Sequence, residues 1–170
     1  RCALRMHDPA AMHCDGHGLH ELGDPWDQLR LEEVASPSPG PAEARVQVAA
    51  TDLNFADILQ CQGKYQERID PPFTPGMSVA GTVLEAGADS GLAVGDRVVG
   101  QTGGTGWGGF AEEALVLGDS VRHVPADVSL VSAAAMNVIY GTGWFALHRR
   151  GNIQPGETVL VLAAAGGVGS

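Results

Sequence analysis

The alternation of apolar and polar positions is clearest from Ala44 to Ala50, where Val46, Val48 and Ala50 interleave with Arg45, Gln47 and Ala49. A period of two predicts a strand with one buried face. Between Asn54 and Gln62 the period changes: Phe55, Ile58 and Leu59 fall at helical spacing, and Gly63 supplies a stop, so one short helix is predicted. Pro71-Pro72-Phe73-Thr74-Pro75-Gly76 lacks the donors of a ladder or helix and is predicted to be a rigid connection. Val79 to Ala86 alternates again, Gly95-Asp96 makes a turn, and Arg97 to Gly100 and Phe110 to Leu117 supply further strands. Loops and short edge strands are expected before the turn-rich stretch from Ser36 to Pro41. Short strands with Gly/Pro punctuation suggest a small barrel or sandwich.

The texture changes after Pro125. Ser129 can cap a helix that runs through Ala133, Ala134 and Ala135 and continues over Val138 to Leu147, ending at the basic Arg149-Arg150 and Gly151. Pro155-Gly156 is a turn, Thr158 to Leu162 a fully apolar strand, and Ala163 to Gly169 a glycine loop. Helix, buried strand, glycine loop is the order in which a doubly wound nucleotide-binding sheet opens. A pyrophosphate needs backbone N–H groups at close range, which Gly166-Gly167-Val168-Gly169 permits; an ordinary strand-to-helix turn is the alternative reading. The fold expected is mainly β, with a substrate domain over residues 1–128 and the truncated start of an α/β nucleotide-binding domain over 129–170. The helix that would receive the phosphates, and the residue ~20 positions on that separates NAD from NADP, lie past Ser170, so weak dinucleotide binding by this chain alone is expected.

A formal net charge of −10 argues against nucleic-acid or anionic-membrane partners, and no Lys/Arg cluster appears beyond Arg149-Arg150. By this reading no apolar run approaches the ~20 residues that span a bilayer, so a soluble protein is expected. Cys2, Cys14 and Cys61 form no C-x-x-C pair, which fits a reducing, cytoplasmic setting, with a mitochondrial matrix as the alternative. His7, His13, His17 and His20 cluster with Cys14, but without a fixed helix face they read as solvated and no metal is expected there. His123 and His148 read as surface or core-edge residues.

Taken together, Asn54-Phe55-Ala56-Asp57-Ile58-Leu59, Gly63-Lys64-Tyr65, Pro72-Phe73-Thr74-Pro75-Gly76-Met77, Gly95-Asp96-Arg97-Val98, Tyr140-Gly141-Thr142 and the stretch from Gln154 to Gly169 resemble the medium-chain dehydrogenase/reductase superfamily, in its zinc-free quinone oxidoreductase branch. The resemblance runs from about Leu31 to the end. It implies a GroES-like barrel followed by a Rossmann domain, with the reaction between them. It further implies NADPH as hydride donor, with NADH the other nicotinamide, quinones or α,β-unsaturated carbonyls as acceptors, and a homodimer at full length. Zinc-dependent relatives place a Cys, a Gly-His-Glu motif and a later Cys around the metal; the positions resembling them hold Asn54, Met77 and Ser78, so no catalytic metal is expected. The structural-zinc lobe is replaced by the cysteine-free stretch Gln101 to Gly109.

By the same resemblance Asn54 lies beside nicotinamide and acceptor, Tyr65 lines the acceptor pocket with a phenol that can donate, and Thr142 contacts the cofactor. Ala163, Gly166, Gly167, Val168 and Gly169 hold its pyrophosphate. From the residues alone, Asn54 also reads as a helix cap. Tyr65 also reads as a core-edge aromatic, and Thr142 as a helix-surface hydroxyl bonded one turn back. Asp57 reads as structural, because hydride transfer to a quinone needs no strong carboxylate base. A non-catalytic protein that keeps the fold for binding predicts the same barrel.

Overall fold

A computed structural model describes residues 13–169. The first elements form a hairpin: β1 (His13–Leu19) pairs antiparallel with β2 (Leu29–Ala35). Between them sits the short helix α1 (Pro25–Gln28), whose first turn is capped by the Asp24 carboxylate accepting from the Trp26 N–H at 3.1 Å. A five-stranded antiparallel sheet follows, built from β3 (Glu43–Thr51), β4 (Ser78–Ala86), β5 (Arg97–Gln101), β6 (Glu113–Leu117) and β7 (Val121–His123) in the order β6-β3-β4-β5-β7. Helix α2 (Phe55–Cys61) fills the connection from β3 to β4, and α3 (Leu130–Trp144) follows β7.

One face of the sheet closes over Ala44, Val46, Val79, Val83, Val98, Ala114, Val116 and Val121. β-branched side chains at alternating positions suit this pleated, buried surface. The other face packs Ala80 and Val124 against Ala133 and Ala134 of α3, small residues that let the helix lie close on the strands. The alternation of β3 is broken by register shifts between Arg45 and Val46 and between Val48 and Ala50. Arg45 is consequently buried, and its guanidinium donates to Glu113 at 2.9 Å and Glu85 at 3.2 Å, clamping β6 and β4 to β3.

The mainly β fold and each central strand agree with the sequence reading. Three differences have physical causes. The predicted strand from Phe110 begins only at Glu113, because Phe110 is committed elsewhere: its N–H donates to the Pro75 carbonyl at 2.9 Å and its own carbonyl accepts from the His17 N–H at 2.8 Å. The apolar segment Thr158 to Leu162 forms no strand; no neighbouring strand offers it a ladder, and Leu160 is 84% exposed. The predicted helix does run to Arg149-Arg150, but its last stretch, Phe145–Arg150, is π-helical and not α-helical. Leu130–Arg150 is thereby 21 residues long with a mean hydropathy of 1.4, long and apolar enough to cross a membrane, which corrects the expectation that no such run exists. Its first turns are packed on β3, β4 and β5.

Of the histidine cluster, His7 lies outside the described residues, as does the His13 side chain. His17 and His20 serve separate partners, the Phe110 carbonyl at 3.2 Å and Glu32 at 2.8 Å, and Cys14 is buried. Among the described residues no three His, Cys, Asp or Glu side chains are grouped to hold a metal ion.

Candidate functional site

Where β3 runs out at Thr51, the chain passes through Asp52 and Leu53 to Asn54, which has extended backbone and serves as N-cap of α2. Asp57, three residues into the helix, reaches back so that its Oδ2 accepts from the Asn54 N–H at 2.7 Å. This is the return half of a capping box. The other oxygen, Oδ1, accepts from the Met77 N–H at 2.9 Å. One carboxyl group, 1% exposed, thus ties two distant backbone positions together.

Met77 leads into Ser78, which is fully buried at the start of β4. The Ser78 hydroxyl accepts from the Asn137 carboxamide of α3 at 3.0 Å, and the Ser78 carbonyl accepts from the Thr51 hydroxyl at 2.7 Å. Strand ends β3 and β4, helix α2 and helix α3 are fastened here through four polar side chains. A buried polar group costs several kcal/mol when left alone, so these paired groups favour one arrangement, while both carboxylate oxygens of the adjoining Asp52 are buried without a partner among the described residues.

Burial pushes the Asp57 carboxyl above its usual range, the nearby Asp52 charge adds to this, and the Asn54 and Met77 N–H groups oppose it. The Cys61 thiol, one helical turn further on, is raised to about 11 by burial and then by Asp57. It is a packed, unreactive thiol at neutral pH.

The network joins Asn54, Asp57, Met77, Ser78 and Asn137; no hydrogen bond links Tyr65, Thr142 or the glycine loop to it among the described residues. Asn54 itself is half-buried. Tyr65 is half-buried in the connection after α2, just past Gly63, whose φ of +66° ends the helix. Thr142 is exposed on α3 and its hydroxyl donates to the Val138 carbonyl at 2.7 Å. In the glycine loop Ala163 has a φ of +54°, the Gly166 N–H donates to the Ala163 carbonyl at 2.9 Å and the Gly169 N–H to the Gly166 carbonyl at 3.0 Å. The loop folds toward α3, since a Cβ on Gly167 would stand 3.5 Å from Ile139. The structural role read for Asp57 agrees with these two hydrogen bonds, and Asn-x-x-Asp at a helix start is a visible capping signal; Asn137 was missed, because no local pattern marks it.

Comparison with known proteins places these observations among relatives. Residues 40–126 match the family model of the alcohol dehydrogenase GroES-like domain. The chain is 51% identical over 142 residues to quinone oxidoreductase-like protein 2 of Bos taurus, covering 83% of this chain but only 40% of that protein. Its fold superposes on the human synaptic vesicle membrane protein VAT-1 homolog-like protein with a TM-score of 0.84 at 31% identity, over 93% of this chain and 50% of the other. The quinone oxidoreductase of Thermus thermophilus, solved also in complex with NADPH, matches with a TM-score of 0.75 at 35% identity, over 91% of this chain and 47% of that one. The chain therefore spans about half the length, or less, of the proteins it matches.

Proposed function

This chain belongs to the medium-chain dehydrogenase/reductase superfamily, whose GroES-like domain it carries, and on that premise we propose that it is the substrate-side part of an NADPH-dependent oxidoreductase that delivers hydride to quinones or α,β-unsaturated carbonyls without zinc. In this reading residues 1–128 serve the acceptor and 129–170 begin the nucleotide-binding domain, in a cytosol-like compartment and a homodimeric whole protein.

The observation that carries the reading is the Asp57 carboxyl holding Asn54 and Met77 together at the positions where zinc-dependent members place ligands. A carboxamide, a thioether and a serine hydroxyl already bonded to Asn137 are a poor donor set for zinc. They suit a site that only positions and polarises a neutral acceptor. Asn54 and Tyr65 are the side chains assigned to that work, Asn54 held by its fastened backbone and Tyr65 offering a phenol. A nicotinamide cofactor, when bound, supplies the hydride. The glycine loop does not fit its pyrophosphate as it stands, because two of its amides already donate to the loop's own carbonyls. No step is therefore assigned to Ala163, Gly166, Gly167, Val168 or Gly169, and Thr142 is likewise already committed as a donor. Those two commitments favour, as second reading, a binding or structural protein of the same fold without turnover.

The test is steady-state reduction of 1,4-naphthoquinone by a longer form that carries a complete Rossmann domain. Turnover with NADPH is expected, lowered by tenfold to a thousandfold in Tyr65→Phe, the range for loss of one positioning or oxyanion-type donor. Wild-type kcat/KM in that variant would remove Tyr65 from the site, and no turnover at all would leave the second reading standing.

A further inference from the structure

Exposed apolar side chains are ordinary when scattered and informative when gathered. Three of the largest gather beside α2: Trp26 is 94% exposed, Leu53 72% and Leu31 70%. They edge two adjoining hollows between the β1–β2 hairpin, α1, α2 and the end of β3. The first, of about 410 Å³, is walled by Trp26, Leu29, Leu53, Ile58 and Phe110. The second, of about 550 Å³, adds Leu31 and Val48. His17, Leu29, Leu53 and Phe110 line both, so the two form one elongated trough. Each hollow is within the roughly 300–1,000 Å³ of ligand pockets in general.

The trough is held open by hydrogen bonds of its own walls. The Gly23 N–H donates to the Cys61 carbonyl at 2.9 Å, which fastens the approach to α1 against the end of α2. On the shared wall the His17 N–H donates to the Phe110 carbonyl at 2.8 Å, and the same oxygen lies 3.2 Å from His17 Nδ1. A carbonyl only accepts, so Nδ1 carries the proton and the imidazole is fixed beside Phe110. Asp24 lines the first hollow and Asp15 and Glu112 the second, while no Lys or Arg lines either among the described residues. In a chain of net charge −10, these carboxylates repel an amphiphile that carries a carboxylate or phosphate. The trough also adjoins the site already described, because Leu53 immediately precedes Asn54 and the Asp57 carboxyl, bonded to the Asn54 N–H, belongs to the same wall.

We propose that this trough holds the apolar chain of a neutral ligand, an alkyl or isoprenoid tail, and that the acceptor is the molecule carrying it. A neutral chain removes Trp26, Leu31 and Leu53 from water without desolvating any charge of its own, and elongation suits two hollows joined end to end. The proposal rests on the reductase reading only for the identity of the tail's bearer. A quinone seated beside Asn54 then has its ring at the reacting end and its chain along the hairpin.

Chain binding needs no cofactor and is measured on the 170-residue protein, which separates its failure from a failure of turnover. The leucine methyl and tryptophan indole NMR signals are followed while butan-1-ol, hexan-1-ol, octan-1-ol and sodium octanoate are added. Saturable shifts at Trp26, Leu29, Leu31 and Leu53 are expected with the alcohols. Affinity should rise about threefold to fourfold for each CH₂ added, the factor for burying one methylene, and octanoate should bind at least tenfold more weakly than octan-1-ol. Leu53→Asn is expected to weaken octan-1-ol binding about tenfold, and Leu31→Asn serves the same purpose should that variant fail to fold. No saturation, affinity independent of chain length, equal binding of octanoate, or unchanged affinity in the folded variant overturns the proposal. So do signals that move with protein concentration alone, which would seat a second copy in the trough, and loss of alcohol binding in a form carrying the complete Rossmann domain, which would seat the rest of the chain there. In that longer form a 1,4-benzoquinone bearing a decyl chain should show a KM at least tenfold below that of the same ring bearing a methyl group. Equal KM values would overturn the assignment of the tail to the acceptor, whereas alcohol binding without any turnover would count against the reductase reading and uphold the trough.

Discussion

Asp57 has two roles set by one position. As a hydrogen-bond acceptor it satisfies the Asn54 and Met77 N–H groups, and Asp57→Ala leaves both donors unpaired, which is expected to cost about 2–6 kcal/mol at ~1–3 kcal/mol per orphaned group. Urea unfolding followed by circular dichroism measures it; a loss below ~1 kcal/mol would show that the fastening is not made. As a titrating group its folded pKa lies above the ordinary value of 3.8. The folded state therefore binds its proton more tightly than the unfolded chain does. The sign follows: this group favours folding while protonated, and that contribution declines as pH rises from 3.8 through the folded pKa. Thermal melts of Asp57→Asn against the parent should show the parent losing ground over that interval and the variant lacking this component. A pH-independent difference in Tm would place the carboxyl in an unshifted environment. The local half of this site, Asn54 with Asp57, was legible in four consecutive residues; the half made by Met77, Ser78 and Asn137 depends on folding and left no trace in spacing.

At the scale of elements, legibility followed locality again. Strands β3 and β4 were visible because each carries its own alternation, β5 because it is a short apolar run after a Gly-Asp turn, and α3 because Ser129 caps it, its hydroxyl accepting from the Ser132 N–H at 3.0 Å. Ser129→Ala is expected to lower stability by about 1 kcal/mol. The segment Thr158 to Leu162 misled for the converse reason: apolar content signals burial, yet a strand exists only with a neighbour to pair. Arg45 is the element-scale surprise, a charge within the alternation that reads as solvent-facing and is instead buried between two glutamates. Removing Arg45 strands the Glu113 charge, whose side chain is 13% exposed, while Glu85 stays open to solvent, so Arg45→Ala should cost about 3 kcal/mol, the lower end for a broken buried pair. Replacement by Met together with Glu113→Leu is expected to recover most of that loss, and equal instability of single and double variants would argue that shape, not charge, is what Arg45 contributes.

The whole molecule combines a well-packed sheet with a second half that has little to pack against. Beyond the first turns of α3 the apolar side chains are open to solvent, Met136, Tyr140, Trp144, Phe145, Leu160 and Leu162 among them. The glycine loop is closed on itself, with Gly166 and Gly169 donating within the loop and Gly167 near Ile139. A pyrophosphate site needs free amides held in place by a helix N-terminus and adjoining strands, because each N–H must point at the ligand before the ligand arrives. To bind NADPH this loop must first break its own hydrogen bonds and then order itself, which lowers affinity at every amide. The 170-residue chain is accordingly expected to show no saturable NADPH binding and no NADPH-dependent quinone reduction, and a form carrying a complete Rossmann domain to show both. Titration followed by nicotinamide fluorescence decides it. Micromolar binding by the 170-residue chain would mean that the loop opens at negligible cost or that the dinucleotide seats on the sheet domain, and in either case the division of labour at residues 128 and 129 would have to be redrawn.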